Sequence, residues 1–111
     1  MVECTAEEAF LLFDGWRSNN VELLCTSRLI GWNLTMGGFV LLASREEVVF
    51  GVRDRCIITL GLLTDGLTFA YAEKGARDVL AVRLPLRFSR QQVEGPFRRP
   101  FSENLFFGQA D

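Results

Sequence analysis

Trp32-Asn33-Leu34-Thr35-Met36-Gly37-Gly38-Phe39-Val40-Leu41-Leu42-Ala43 lies in the middle of the stretch that decides the fold, Val21 to Phe88. Trp32, Leu34 and Met36 alternate with Asn33 and Thr35, which is the period of a half-buried strand. The glycine pair then interrupts the pattern. Adjacent glycines inside a strand predict a bulge or a sharp bend, where a small barrel turns its corner. On either side the chain repeats the theme, with short apolar runs separated by Gly, Asn-Asn, Arg-Asp-Arg and Asp-Gly. This is the signature of a small antiparallel β-barrel or sandwich.

Working outward, Val21 to Ser27 reads as the first strand of this set. Ser44-Arg45-Glu46-Glu47 reads as a polar turn. Val48, Phe50 and Val52 alternate inward, and Cys56 to Leu63 is nearly continuous apolar, which predicts a central strand covered on both faces. Thr64-Asp65-Gly66 carries a hairpin signal. Leu67, Phe69 and Tyr71 alternate with Thr68, Ala70 and Ala72. Leu80, Val82, Leu84, Leu86 and Phe88 point one way, and Val79, Ala81, Arg83, Pro85 and Arg87 the other. Pro85 cannot donate to a ladder, so this segment reads as an edge strand, or as one whose amide at that position faces outward.

Before the strands comes a helix, expected over about residues 6–18. Thr5-Ala6-Glu7-Glu8 is a capping box, and Arg17 sits in the last turn, where the helix dipole favours a cation. Ala6, Ala9, Phe10, Phe13 and Trp16 form one apolar face, predicting a lid over one mouth of the barrel. Asn19-Asn20 ends the helix, asparagine being tolerant of the left-handed conformation.

After the strands, residues 89–111 form an aromatic tail interrupted by Gly95-Pro96 and Pro100. Phe97, Phe101, Phe106 and Phe107 are four of the ten phenylalanines, too much aromatic surface for a solvated arm. They are the candidate interface, packing on the barrel or on a neighbouring subunit. Ser102 to Gly108 reads as one short capped turn of helix.

The 111 residues fit a single domain, with 49% apolar and 23% charged residues, as in globular chains. No apolar run is long enough to span a bilayer as a helix, and the start lacks a signal-peptide pattern, so the expected compartment is the cytoplasm. Cys4, Cys25 and Cys56 are odd in number and widely spaced, which excludes zinc-ribbon and redox pairs. Cys25 and Cys56 are expected as small core residues inside strands.

There is no histidine, which excludes a Ser-His-Asp triad, a Cys-His pair and any His-ligated metal. Glu46 and Glu47 are adjacent and do not converge on a strand, and Asp54 and Asp65 sit where turns favour Asp. No catalytic residue, metal or cofactor is expected. The formal charge is −2 but unevenly placed: residues 1–50 carry three Arg against seven acids, and residues 76–101 six Arg against two acids. Arg83, Arg87, Arg90, Arg98 and Arg99 are therefore the candidate contacts for an anion or a nucleic acid. Complementarity within or between subunits is the plainer meaning of that asymmetry.

The helix near 6–18, the strand at 21–27 and Trp32 to Ala43 around its glycine pair together resemble the Sm-like small barrel, over about residues 5–72. Sm-like proteins form rings and often bind RNA, so the resemblance implies a homo-oligomer. Asn33-Leu34-Thr35-Met36-Gly37-Gly38 is also similar to the N-x-S-x-x-G element of the PilZ barrel, which binds cyclic di-GMP, with Thr35 standing for Ser. That family's R-x-x-x-R pair has no counterpart ahead of this element; Arg83 and Arg87 have the spacing at the far end of the chain.

The expectation is thus a mainly β domain. It has one N-terminal helix, five or six antiparallel strands closing a small barrel, and an aromatic tail. It is expected to work as a non-enzymatic interaction or structural module that self-associates, as a dimer or ring. The alternative is a nucleotide- or nucleic-acid-binding barrel using the arginine set.

Overall fold

The computed structural model describes residues 2–29, 32–52, 55–74, 77–83 and 104–110. The elements run β1 (Val2–Cys4), α1 (Ala6–Ser18), β2 (Leu23–Leu29), β3 (Trp32–Ala43), β4 (Glu47–Val52), β5 (Arg55–Gly61), β6 (Thr68–Lys74), β7 (Arg77–Arg83) and β8 (Asn104–Gln109). The eight strands of the described residues make one antiparallel sheet in the order β1-β6-β7-β8-β2-β3-β4-β5. No helix among the described residues is long and apolar enough to cross a membrane.

The fold is mainly β with one N-terminal helix, as the periodicities predict, but the barrel does not close. Among the described residues, β1 and β5 stand at the two ends of the strand order with no ladder between them. The sheet is nonetheless strongly coiled. Laid flat, the six steps from β5 to β6 would span about 29 Å at ~4.8 Å each. The chain from Gly61 to Thr68 reaches at most about 25 Å fully extended. It is shortened further by turn bonds from Thr64 N–H to the Gly61 carbonyl (3.0 Å) and from Leu67 N–H to Thr64 (3.2 Å). Thr64-Asp65-Gly66 is therefore a turn, with Gly66 at φ 83°, but it links strands that do not pair.

The bend expected at Gly37-Gly38 is where β3 changes partner. Trp32 to Gly38 pair with β2, and Phe39 to Ala43 pair with β4. A Cβ on Gly38 would lie 2.6 Å from the Gly51 carbonyl oxygen and 2.9 Å from the Phe50 ring. Only a residue without a side chain lets β4 pass this close.

Two strands fall elsewhere than expected. β5, read as central, is at the end of the sheet, and Cys56 is exposed instead of buried. Its apolar run reflects one face toward the core and an uncharged outer face, which imitates a doubly covered strand. β7, read as an edge, lies between β6 and β8; Pro85, which suggested the edge, lies outside the described residues. The largest difference is in the tail. Asn104 to Gln109 form no helical turn but a strand zipped between β7 and β2 of the same chain.

Helix α1 covers the concave face. The capping box is formed in both directions: Glu8 N–H donates to Thr5 Oγ1 (3.1 Å), and Thr5 N–H donates to Glu8 Oε1 (3.0 Å). Asn20 takes the left-handed conformation at φ 50° and closes the end. Ala9, Phe13 and Trp16 enter the core with Leu23, Cys25, Val48, Phe50, Leu80, Val82, Leu105 and Phe107. Phe107 meets Phe13 and Phe50 edge-to-face, at ring separations of 5.2 and 5.6 Å. Arg45, in the β3–β4 turn, pairs with Glu7 (3.2 Å) and lies over the Phe10 ring, tying the start of the helix to the sheet.

Candidate functional site

Of the five candidate arginines and four candidate phenylalanines, the structure describes Arg83, Phe106 and Phe107. Arg83 is exposed at the end of β7. Arg87, Arg90, Arg98, Arg99, Phe97 and Phe101 lie outside the described residues. Phe107 is fully buried and belongs to the core, not to an interface. Its neighbour Phe106 points to the opposite face, as alternate residues of a strand must. There it lines a shallow hollow of about 330 Å³ with Arg83, Asn104, Thr68, Ala70, Ala81 and Glu3. Glu3 places a carboxylate in the same hollow as Arg83, so this surface is of mixed charge.

Among the described residues, no three Cys, Asp or Glu side chains come together where they could hold a metal ion. Glu46 and Glu47 are both exposed and belong to the β3–β4 turn and the start of β4.

Two surfaces carry more than the sequence announced. One is the β5 end of the sheet. Just beyond the β4–β5 ladder, Leu62 N–H donates to the Glu46 carbonyl (2.9 Å). Backbone direction alternates along an antiparallel strand. Leu60 and Ile58 therefore turn their amides to β4, and Thr59 and Gly61 turn theirs away. On the convex face beside them, Phe39, Leu41, Leu42 and Val49 form an apolar surface, with Leu41 and Leu42 37% and 50% exposed. Val52, expected inward, is also exposed, at the outer end of β4; the register shift lies in β5, which skips one residue between Ile58 and Cys56, and Cys56 beyond it is exposed.

The other surface is the seam between α1 and the concave side of β1, β6, β7 and β8. A hollow of about 400 Å³ is lined by Val2, Cys4, Glu8, Leu11, Leu12 and Tyr71, with Glu3 at its margin. A second, of about 200 Å³, is lined by Leu11, Leu12, Gly15, Trp16, Asn19, Val21, Asp78 and Gln109. They share Leu11 and Leu12, and the Tyr71 hydroxyl of the first donates to Asp78 Oδ1 of the second (2.6 Å). That bond raises the Tyr71 pKa to about 12, helped by burial and by the charges of Asp78 and Glu73. Burial, and then Glu8, raise that of the Cys4 thiol.

Trp16 Nε1 is the one buried side-chain nitrogen or oxygen among the described residues with no hydrogen-bond partner. Leaving a buried donor unpaired costs about 1–3 kcal/mol. Reading Trp16 as an apolar lid residue accounts for its ring and omits its N–H. Tyr71 likewise read only as an inward aromatic, since Asp78 becomes its partner through the pairing of β6 with β7.

Comparison with protein families, with curated proteins and with solved structures finds no match to this chain.

Proposed function

We propose that the protein is a non-catalytic interaction module that associates with a second copy of itself through the β5 end of the sheet. The observation that carries this reading is the backbone of Thr59 and the amide of Gly61, which turn away from β4 and face no other described strand, beside the exposed Leu41, Leu42 and Val52. A strand edge with free amides and carbonyls is a template for another strand. Proteins that stay monomeric blunt such edges with Lys, Pro or inward charges, and from Cys56 to Gly61 there is none. Pairing β5 with β5 of a second copy about a two-fold axis would extend the sheet and bury the adjoining apolar surface on both chains.

Thr59→Pro provides a selective test. It removes an amide directed away from β4, so the intramolecular ladder keeps its bonds. Light scattering after size exclusion should give a dimer for the wild type and a monomer for Thr59→Pro and for Leu42→Glu, with circular dichroism unchanged. A monomeric wild type, or a dimer that survives both substitutions, would refute the proposal. The nucleic-acid alternative is the weaker reading, because the hollow that holds Arg83 also holds Glu3 and is of mixed charge. Salt-sensitive binding of RNA or DNA, lost on Arg83→Ala, would favour it.

A further inference from the structure

We infer that the hollow on the convex face of β1, β6, β7 and β8 is a binding site for a free α-amino acid with an apolar or aromatic side chain, recognised as a zwitterion. The site lies at the opposite end of the strand order from β5 and does not depend on association through that edge.

The pleat builds the hollow. Glu3, Ala70, Ala81 and Phe106 stand opposite one another on β1, β6, β7 and β8, so they form one row across the sheet. Thr68, Arg83 and Asn104 form the next row on the same face, because residues two apart on a strand point the same way. The large side chains of the first row stand at its two ends, and the positions between them carry only methyl groups. The result is a hollow of about 330 Å³ with an alanine floor, the half-buried Phe106 ring as one wall, and Glu3 and Arg83 at its rim. That volume suits a small ligand.

Charge decides what the hollow accepts. Glu3 and Arg83 line it together, yet they do not pair; the ion pairs among the described residues are Arg17 with Asp14 and Arg45 with Glu7. The register explains why. Glu3 and Arg83 are two strand steps and two residues apart, about 12 Å between Cα atoms at ~4.8 Å per step and ~3.4 Å per residue. On the convex side of a coiled sheet their side chains also splay outward. Opposite charges are therefore held apart across an apolar floor.

A zwitterion joins them. An ammonium and a carboxylate on one carbon, each with a hydrogen bond of about 2.8 Å, together span about 8–9 Å. That length links Glu3 to Arg83 where the two side chains lean over the floor. Asn104, directly opposite Arg83 on β8, can donate its side-chain amide to the second carboxylate oxygen. The side chain of the amino acid then lies on Ala70 and Ala81 against the Phe106 ring. An anion alone meets Glu3 and a cation alone meets Arg83, so the hollow selects molecules that carry both charges.

The probes are phenylalanine, N-acetylphenylalanine, which lacks the ammonium, and phenylalaninamide, which lacks the carboxylate. They are titrated into the full chain labelled with nitrogen-15 at about pH 6, where an α-amine is protonated. The backbone amides of Ala81 and Phe106 report binding. Phenylalanine should shift them saturably, in the millimolar range, and each single-charge probe should bind roughly fivefold more weakly, as expected for the loss of one exposed charge pair. Glu3→Gln should weaken phenylalanine by the same factor and leave N-acetylphenylalanine unchanged. Arg83→Gln should weaken phenylalanine and leave phenylalaninamide unchanged. Ala81→Leu fills the floor and should weaken all three. A non-saturable response in the wild type, equal binding of the three probes, or a Glu3→Gln or Arg83→Gln variant that weakens every probe alike would overturn the inference. These substitutions leave β5 untouched. A dimer that binds no amino acid would retain the β5 proposal alone, and a monomer that binds phenylalanine would retain this one alone.

Discussion

Cys25, Cys4 and Cys56 carry the same thiol into three environments. Cys25 is fully enclosed in the core, and burial pushes its pKa from 9.0 to about 12. Cys4 is half-buried and raised in the same direction by burial and then by Glu8. Cys56 is exposed, its sulfur 3.2 Å from Thr59 Oγ1. Because the thiolate is the nucleophile, alkylation of the native protein at neutral pH should label Cys56 first, Cys4 more slowly, and Cys25 only on unfolding. Peptide mapping by mass spectrometry after timed iodoacetamide quenches reads this order; Cys25 labelling as fast as Cys56 would contradict the fold. The sign of the pH dependence follows. Cys25 and Tyr71 both ionise at higher pH in the folded chain than their ordinary values of 9.0 and 10.0, near 12 in each case. Unfolding is then favoured by deprotonation. Their contribution to stability is complete below pH 9 and is lost as pH rises from 9 toward 12. Urea midpoints should fall over that window more steeply in the wild type than in Cys25→Ala or Tyr71→Phe.

At the scale of elements, two glycines with opposite surroundings separate what the backbone needs from what it tolerates. In α1, Gly15 faces open space. Gly15→Ala should therefore stabilise the helix by up to about 1 kcal/mol, the propensity difference between the two residues. In β4, a Cβ on Gly51 would collide with the Arg55 carbonyl and lie 2.9 Å from Leu41 Cδ1. Gly51→Ala should cost about 1–3 kcal/mol by forcing the β4–β5 hairpin open. Gly38 approaches the same Gly51 carbonyl, so the two alanine substitutions together should depart from additivity. Urea unfolding of the three single variants and the double variant tests all of this. The contrast also explains which elements were legible in the sequence. Thr5 and Glu8 stand three residues apart and complete each other locally, so α1 is readable from end to end. The strands with clean alternation, Phe69-Tyr71 against Ala70-Ala72 and Leu80-Val82 against Val79-Ala81, also point as their period says. Cys56 does not, because a one-residue register shift in β5 between Ile58 and Cys56 reverses the side chains beyond it, and no residue type marks where the shift falls.

At the scale of the whole molecule, the arrangement turns on Asn104 to Gln109. Leu105 and Phe107 face the core, and Asn104, Phe106 and Gly108 face away. The adjacent aromatics Phe106 and Phe107 hide this alternation, and Ser102 and Gly108 imitate helix caps. What places the segment is pairing with Leu23 to Arg28, some eighty residues earlier, and with Val79 to Arg83. Partners that distant are selected by the assembled sheet and not by local propensity. The candidate seam was hidden for the same reason: Asp78 and Gln109 reach it only because β7, β8 and β2 lie side by side. β8 is therefore the keystone of the order β1-β6-β7-β8-β2-β3-β4-β5. Without it, β1-β6-β7 and β2-β3-β4-β5 would be two smaller sheets with newly opened edges. The core would lose Leu105 and the Phe107 ring that joins Phe13 to Phe50. Phe107→Ala keeps the ladder and removes only the ring, so it should cost about 3–5 kcal/mol and still fold. Deleting residues 104–111 removes ring and ladder together, and this should exceed the ~5–15 kcal/mol by which domains of this size are stable. The truncated chain should show no cooperative urea transition and no near-ultraviolet circular dichroism. Adding the peptide 104–111 should restore both, because an open slot between β7 and β2 accepts a strand in trans. A truncated chain that unfolds cooperatively at the wild-type midpoint, with the peptide making no difference, would mean that β8 does not join the two halves of the sheet.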